Sequence, residues 1–172
     1  MSFEALWSDA IGLVKANIAY AEPVVFLMGF AEGIPGLSLF VPSSALFLAI
    51  GAAHAAAGGS FWELWLAAAI GAVAGDCVTY ALGRHVRDDV ERLSYFRMHP
   101  TTLAAGHAVF ERWGPLAVLV GKFTGFARPF IPIVAGIVSM PLPLFLGASA
   151  LSSLAWAGAF LAPGYGLRFF ID

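Results

Sequence analysis

The chain has 172 residues and a formal net charge of −2; 60% of it is hydrophobic and only 12% is charged. That shortage of charge and a mean hydropathy of +0.84 exclude a soluble domain's surface, and the charge balance excludes nucleic-acid binding through a broad basic field. One cysteine, Cys77, excludes a disulfide framework, a zinc cluster and an iron–sulfur centre. The remaining class is an all-α integral membrane protein.

Residues 1–20 lack the basic start and clean apolar run of a cleavable signal peptide. Phe3, Leu6, Trp7, Ile11, Leu13, Val14 and Ile18 recur at helical spacing between Glu4, Asp9 and Lys15, which predicts an amphipathic interfacial helix. Residues 23–57 form a long apolar stretch, broken at Glu32-Gly33-Ile34-Pro35-Gly36 and at Pro42-Ser43-Ser44. Phe61 to Gly83 is a span with Trp62 and Trp65 as interfacial anchors. A connector follows with Arg84, Arg87, Arg92, Arg97 and Arg112, five of the nine basic residues, and the positive-inside rule makes it cytoplasmic. Apolar spacing on either side of Pro100 predicts two short amphipathic helices there.

Residues 114–140 are broken again by Lys122, Arg128-Pro129 and Pro132, whereas Leu142 to Leu167 is a span with no ionisable residue. Two Gly/Pro-interrupted segments in matching positions point to broken helices around a central site. We therefore expect one domain over 1–172. It comprises the amphipathic helix over 1–20, a re-entrant hairpin and span over 23–87, a cytoplasmic connector over 88–113, and a second hairpin and span over 114–168. The matching order suggests an inverted repeat.

Glu32, Asp76, Lys122 and Arg128 sit where hydrocarbon should be. An ionisable group there costs at least ~2.5–3.5 kcal/mol on insertion scales, so it is paired or functional. Glu32 and Arg128, beside helix breaks, favour function over a purely structural ion pair, and Glu32, at the break of the other segment, is expected as the counter-charge of an unoccupied Arg128. Arg128 precedes Pro129, a setting that frees backbone N–H groups to join the guanidinium around an anion. Asp76, Tyr80 and Arg84 share a helix face, and Gly71 with Gly75 forms a GxxxG that admits a close backbone, so a structural hydrogen bond is favoured for Asp76 over a proton relay. His54 is expected at the interface, and His85, His99 and His107 lack metal-ligand spacing. Ser43 or Ser44 reads as a helix cap. No phosphate-binding glycine loop, catalytic triad motif or HExxH is present, so neither an enzyme nor a cofactor is expected, and no metal site.

The motifs resemble the DedA family of bacterial membrane proteins, whose core is the VTT or SNARE-associated domain. They are Glu32 with Pro42-Ser43-Ser44; Gly75-Asp76 with Tyr80, Gly83 and Arg84; Phe110-Glu-Arg-Trp-Gly114; and Gly121 to Gly136 with Lys122, Arg128, Pro129 and Pro132. The resemblance implies a multi-pass bacterial inner-membrane protein that moves lipids, notably undecaprenyl phosphate, with proton coupling in some members. It maps functional positions onto Glu32, Ser44, Lys122 and Arg128. Many members carry an acid in place of Ser44 and an arginine in place of Lys122. Loss of the acid removes a proton carrier, and lysine lacks the bidentate fork that suits phosphate. The expected partner is anionic lipid phosphate and not nucleic acid, with homo-oligomerisation left open. A small-ion transporter and a non-transporting assembly module supporting a partner enzyme are the alternatives. The topology is tested by single cysteines at Ser60 and Ser94 in a Cys77→Ser background: they should label from opposite sides of the membrane, and labelling from one side contradicts the two-span reading.

Overall fold

The computed structural model describes residues 18–40, 43–87, 100–125 and 128–166, and among them every regular element is helical. After a 3-10 turn at Ile18–Tyr20 come α1 (Ala21–Glu32), α2 (Ser43–Ala56), α3 (Phe61–Val86), α4 (Pro100–Trp113), α5 (Pro115–Gly121), α6 (Phe130–Ile137) and α7 (Leu142–Gly166). Residues 1–17 of the expected amphipathic helix and residues 88–99 of the connector lie outside the described residues. The part of the connector that is described is α4. It opens on Pro100, whose missing N–H costs nothing in a first turn.

At 1.5 Å per residue, the 26 residues of α3 and 25 of α7 reach about 38 Å, beyond the ~30 Å of a bilayer core. The other apolar helices are shorter, and the connections within the α1/α2 and α5/α6 pairs are breaks that carry proline and glycine. The break after α1 carries Gly36 at φ 92° and the break after α5 carries Gly125 at φ 58°. Glycine takes both conformations without the strain that a side chain would bring, which is greatest at Gly36.

The short helices cross over between the long ones. α1 packs on α3 and α2 on α7; in the second half α5 packs on α7 and α6 on α3. Glycine makes these contacts close. On α3, a Cβ at Gly71 would meet the Phe26 backbone and one at Gly75 the Phe30 carbonyl, which makes α1 run parallel to α3. Gly164 of α7 abuts Leu48, Gly51 and Ala52 of α2, and Gly136 of α6 abuts Tyr80, Gly83 and Arg84 of α3.

Two apolar clusters divide the interior. One gathers Val25, Met28, Phe47, Ile50, Leu64, Trp156 and Leu161; the other gathers Tyr80, Phe110, Val118, Ala135, Met140 and Phe145. α3 and α7 run through both in opposite order. The residues between the clusters on each helix are polar: Asp76 and Thr79 on α3, Ser149, Ser152 and Ser153 on α7, all buried. Outside, Leu27, Ile70, Leu82, Leu116, Val120 and Leu151 are each at least half exposed. A polar interior under an apolar exterior inverts the soluble pattern and suits a lipid solvent.

His54, expected at the interface, is packed inside the protein and only 1% exposed. Its ring is covered by Gly59, and its nitrogens face Tyr165 Oη and, at 3.5 Å, Glu22 Oε1, so two neighbouring helices supply the polar partners that water would have supplied.

The glycine contacts are testable. Gly75→Val should cost at least about 3 kcal/mol of stability in nanodisc thermal unfolding, since the Phe30 carbonyl cannot move aside. Gly147→Ala, with nothing within 4 Å of the new Cβ, should be neutral or stabilising by up to ~1 kcal/mol.

Candidate functional site

Glu32 is the last residue of α1, and Gly33 closes directly on the backbone of Gly75 and Asp76. Thr79 Oγ1 donates to the Gly33 carbonyl at 2.7 Å, so an acceptor freed by the helix break is satisfied from α3. This docking brings Glu32 and Asp76 to one depth. Asp76 lies fifteen residues, or ~22 Å, from the start of α3 and ~15 Å from its end, far from both helix ends.

The second break supplies the cations. Lys122 caps α5, whose final carbonyl, Gly121, accepts from Thr124 Oγ1 at 2.6 Å. Arg128 stands one residue before Pro129, the N-cap of α6. Lys122 Nζ donates to Asp76 Oδ2, and Arg128 Nη1 donates to Glu32 Oε2. All four residues are 3–6% exposed. One broken segment is thus pinned to α3 by one pair and to the other broken segment by the second. Two acids and two bases cancel, which removes most of the penalty of taking charges out of water. Ser149 Oγ on α7 donates to Asp76 Oδ2 at 2.6 Å and brings the last span into the same network.

Arg128 is only partly satisfied. Its Nε and Nη2 have no hydrogen-bond partner among the described residues, while its Cζ lies 3.8 Å from the centroid of the Trp156 ring. A cavity of about 10 Å³, room for one water, is bounded by Asp76, Val118, Lys122, Arg128, Ile131 and Pro132. The backbone N–H of Arg128 is not free for an anion as the sequence suggests; it donates to the Gly125 carbonyl at 3.1 Å, because the chain turns tightly there. The guanidinium edge remains the open donor.

The other residues singled out from sequence hold the scaffold. Tyr80 Oη donates to the Met140 carbonyl at 2.5 Å, and its ring stacks on Phe145 at 4.4 Å. Gly83 receives Ile133, Gly136 receives the α3 backbone, and Pro129 and Pro132 are buried. Arg84 is exposed and donates to Tyr80 Oη at 3.5 Å, outside the charged centre. Pro42 and the Ser44 side chain lie outside the described residues. No group of three or more His, Cys, Asp or Glu able to hold a metal occurs among the described residues. Thr79, Ser149, Ser153 and Trp156 escape the sequence reading. Ser149, Ser153 and Trp156 fall at i, i+4 and i+7 of α7, a polar stripe in an otherwise apolar span that could have marked the face turned to Asp76.

The profile of the VTT domain matches residues 41–166. The chain is 28% identical over 151 residues to "Inner membrane protein YabI" of Escherichia coli (strain K12), covering 88% of this chain and 59% of that protein. It is 31% identical over 148 residues to "Uncharacterized membrane protein Mb2670" of Mycobacterium bovis, covering 83% of this chain and 68% of the relative. It thus spans about three fifths of the length of YabI and of similar relatives from Buchnera aphidicola. No solved structure matches. With a buried charge centre between two long apolar helices and a VTT profile over most of its length, the chain belongs to the VTT-domain, or DedA, family of membrane proteins.

Proposed function

We propose that this protein is a transporter, not an enzyme, that carries the phosphate head group of an anionic lipid across the bacterial inner membrane, the lipid being a polyprenyl phosphate such as undecaprenyl phosphate or a phospholipid. The observation that carries the reading is Arg128: a buried guanidinium paired through one nitrogen, with the donors of its Nε/Nη2 edge unmatched among the described residues. That edge has the geometry that receives a phosphate or carboxylate through two parallel bonds.

The α1/α2 and α5/α6 pairs are read as re-entrant hairpins in an inverted repeat. The crossed packing supports this: each first arm lies on the long helix of its own half and each second arm on that of the other. The arginine-rich connector then faces the cytoplasm. In the cycle we propose, an arriving phosphate takes the open edge of Arg128 and displaces the Glu32 carboxylate, while Lys122, held by Asp76, contributes positive field. The apolar tail stays in lipid throughout. Displaced Glu32 is the group that would exchange a proton if transport is coupled to one.

A proton-coupled ion carrier is the second reading, and the cavity of about 10 Å³ favours it, because that space fits a water and not a phosphate. On the lipid reading, the hairpins must separate before the phosphate seats.

Liposome translocation assays of a fluorescent polyprenyl phosphate, with and without a pH gradient, test the proposal. Arg128→Lys should insert and fold yet slow translocation at least about tenfold, since a point charge replaces the fork. Glu32→Gln should disturb translocation in a monodisperse protein. Normal translocation by Arg128→Ala and Glu32→Ala proteins rejects the mechanism and leaves the assembly-module reading; proton flux without lipid movement supports the ion carrier.

The two ion pairs should also separate in their effects. Lys122→Met alone strands the Asp76 carboxylate and should cost about 3–5 kcal/mol, whereas adding Asp76→Leu should recover most of that stability. Thermal unfolding of the single and double variants in nanodiscs checks this.

A further inference from the structure

The open edge of Arg128 needs something to keep it open. A guanidinium free to turn about its side-chain torsions would bring Nε and Nη2 onto the Glu32 carboxylate and close a two-bond fork. The structure instead has Nη1 on Glu32 and Cζ over the indole ring of Trp156, 3.8 Å from its centroid. Trp156 is itself fixed. It is 3% exposed, meets Phe47 edge-on at 5.0 Å and 84°, and has Phe160 at 5.4 Å on the same helix. A cation over a rigid, desolvated indole is held by the ring quadrupole as well as by contact.

A second observation lies one turn away on the same face. Ser153 Oγ is fully buried and has no hydrogen-bond partner among the described residues. Serines inside helices usually turn the hydroxyl onto the carbonyl four residues back. For Ser153 that is the Ser149 carbonyl, which already accepts from Ser152 Oγ at 3.1 Å. The neighbouring serines are thus committed, Ser149 to Asp76 and Ser152 to the backbone. Along α7, Ser153 lies ~6 Å from Ser149 and ~4.5 Å from Trp156, within the axial band of the charge centre. Among the described residues, the buried donor atoms left without partners in this band are two on Arg128 and one on Ser153.

We infer that α7 forms the second wall of the anion site: Trp156 is a positioning residue that holds the Arg128 guanidinium flat with its Nε/Nη2 edge free, and Ser153 donates its hydroxyl to the same bound anion. The inference rests on the reading of Arg128 as the phosphate-binding group.

The test uses the full chain in phosphatidylcholine nanodiscs, titrated calorimetrically with farnesyl phosphate, with farnesol and inorganic phosphate as separate arms. Trp156→Leu should weaken farnesyl phosphate binding about tenfold, and Trp156→Phe, which keeps a ring face and its packing against Phe47, should restore it to within about threefold. Ser153→Ala should weaken binding about tenfold and Ser153→Thr should retain it. In an Arg128→Lys background, Trp156→Leu should have little further effect, because no planar group remains to be held. Equal losses from Trp156→Phe and Trp156→Leu, or losses that multiply in the Arg128→Lys background, overturn the positioning role. Unchanged binding in Ser153→Ala overturns the serine's part. If Arg128→Ala weakens binding while every α7 variant binds normally, the inference alone falls. If farnesyl phosphate binds no better than farnesol, or binds Arg128→Ala as well as the native chain, the phosphate reading falls and takes the inference with it. Inorganic phosphate competing as well as farnesyl phosphate would identify a free anion, not a lipid, as the ligand of the same wall.

Discussion

In an interior that water does not reach, a charge must meet an opposite charge or not be there at all, and this structure is arranged around four that meet. Glu32 with Arg128 and Asp76 with Lys122 cancel in pairs, and the pairs tie together segments that lie far apart in the chain. Both cations come from the break between α5 and α6, and their acids come from α1 and α3. That break is therefore anchored on two sides, and Ser149 adds the last span as a third. An isolated buried ion would cost several kcal/mol, so each pair holds its segments in register more firmly than its net attraction alone would suggest.

Charges can meet only if backbones come close, and the close approach is the work of small residues. Lipid offers no hydrophobic drive to bring apolar helices together, so contact area and polar bonds must do it. Gly33 against Gly75 and Asp76 is the contact that matters most here, since it sets Glu32 beside the α3 acid and lets Thr79 satisfy a carbonyl that the helix break leaves open. The equivalent closeness of Gly136 to Gly83 draws the start of α6, and Arg128 with it, toward the same level. The apolar clusters above and below then exclude water from the layer that the polar groups occupy.

The arrangement is asymmetric in a way that bears on exchange. Lys122 has its carboxylate partner, which is further braced by Ser149, whereas Arg128 retains an unmatched edge and an aromatic face. A group that is stable yet incompletely satisfied suits repeated binding and release better than one whose donors are all committed. The neutral quartet thus divides into a braced pair and an exchangeable pair, and only the second bridges the two broken segments.

Composition and spacing determined a great deal of this. The apolar excess made the chain a membrane protein, the uninterrupted run from Leu142 marked α7, and prolines and glycines located both breaks, because these depend on local chemistry along the chain. The four buried charges were legible for the same reason: each stands out against its own apolar neighbours. Glu32, the acid at the other break, was legible as the counter-charge of Arg128, whereas the pairing of Lys122 with Asp76 was not, and only the crossed packing of α1 on α3 and α6 on α3 decides it. Tertiary structure also buried His54 under Gly59 and beside Tyr165, residues that no local pattern links to it. It likewise turned Ser149 and Trp156 toward the charges. A span without ionisable residues carries little rotational information in its sequence, so the face that α7 presents inward is fixed by its neighbours.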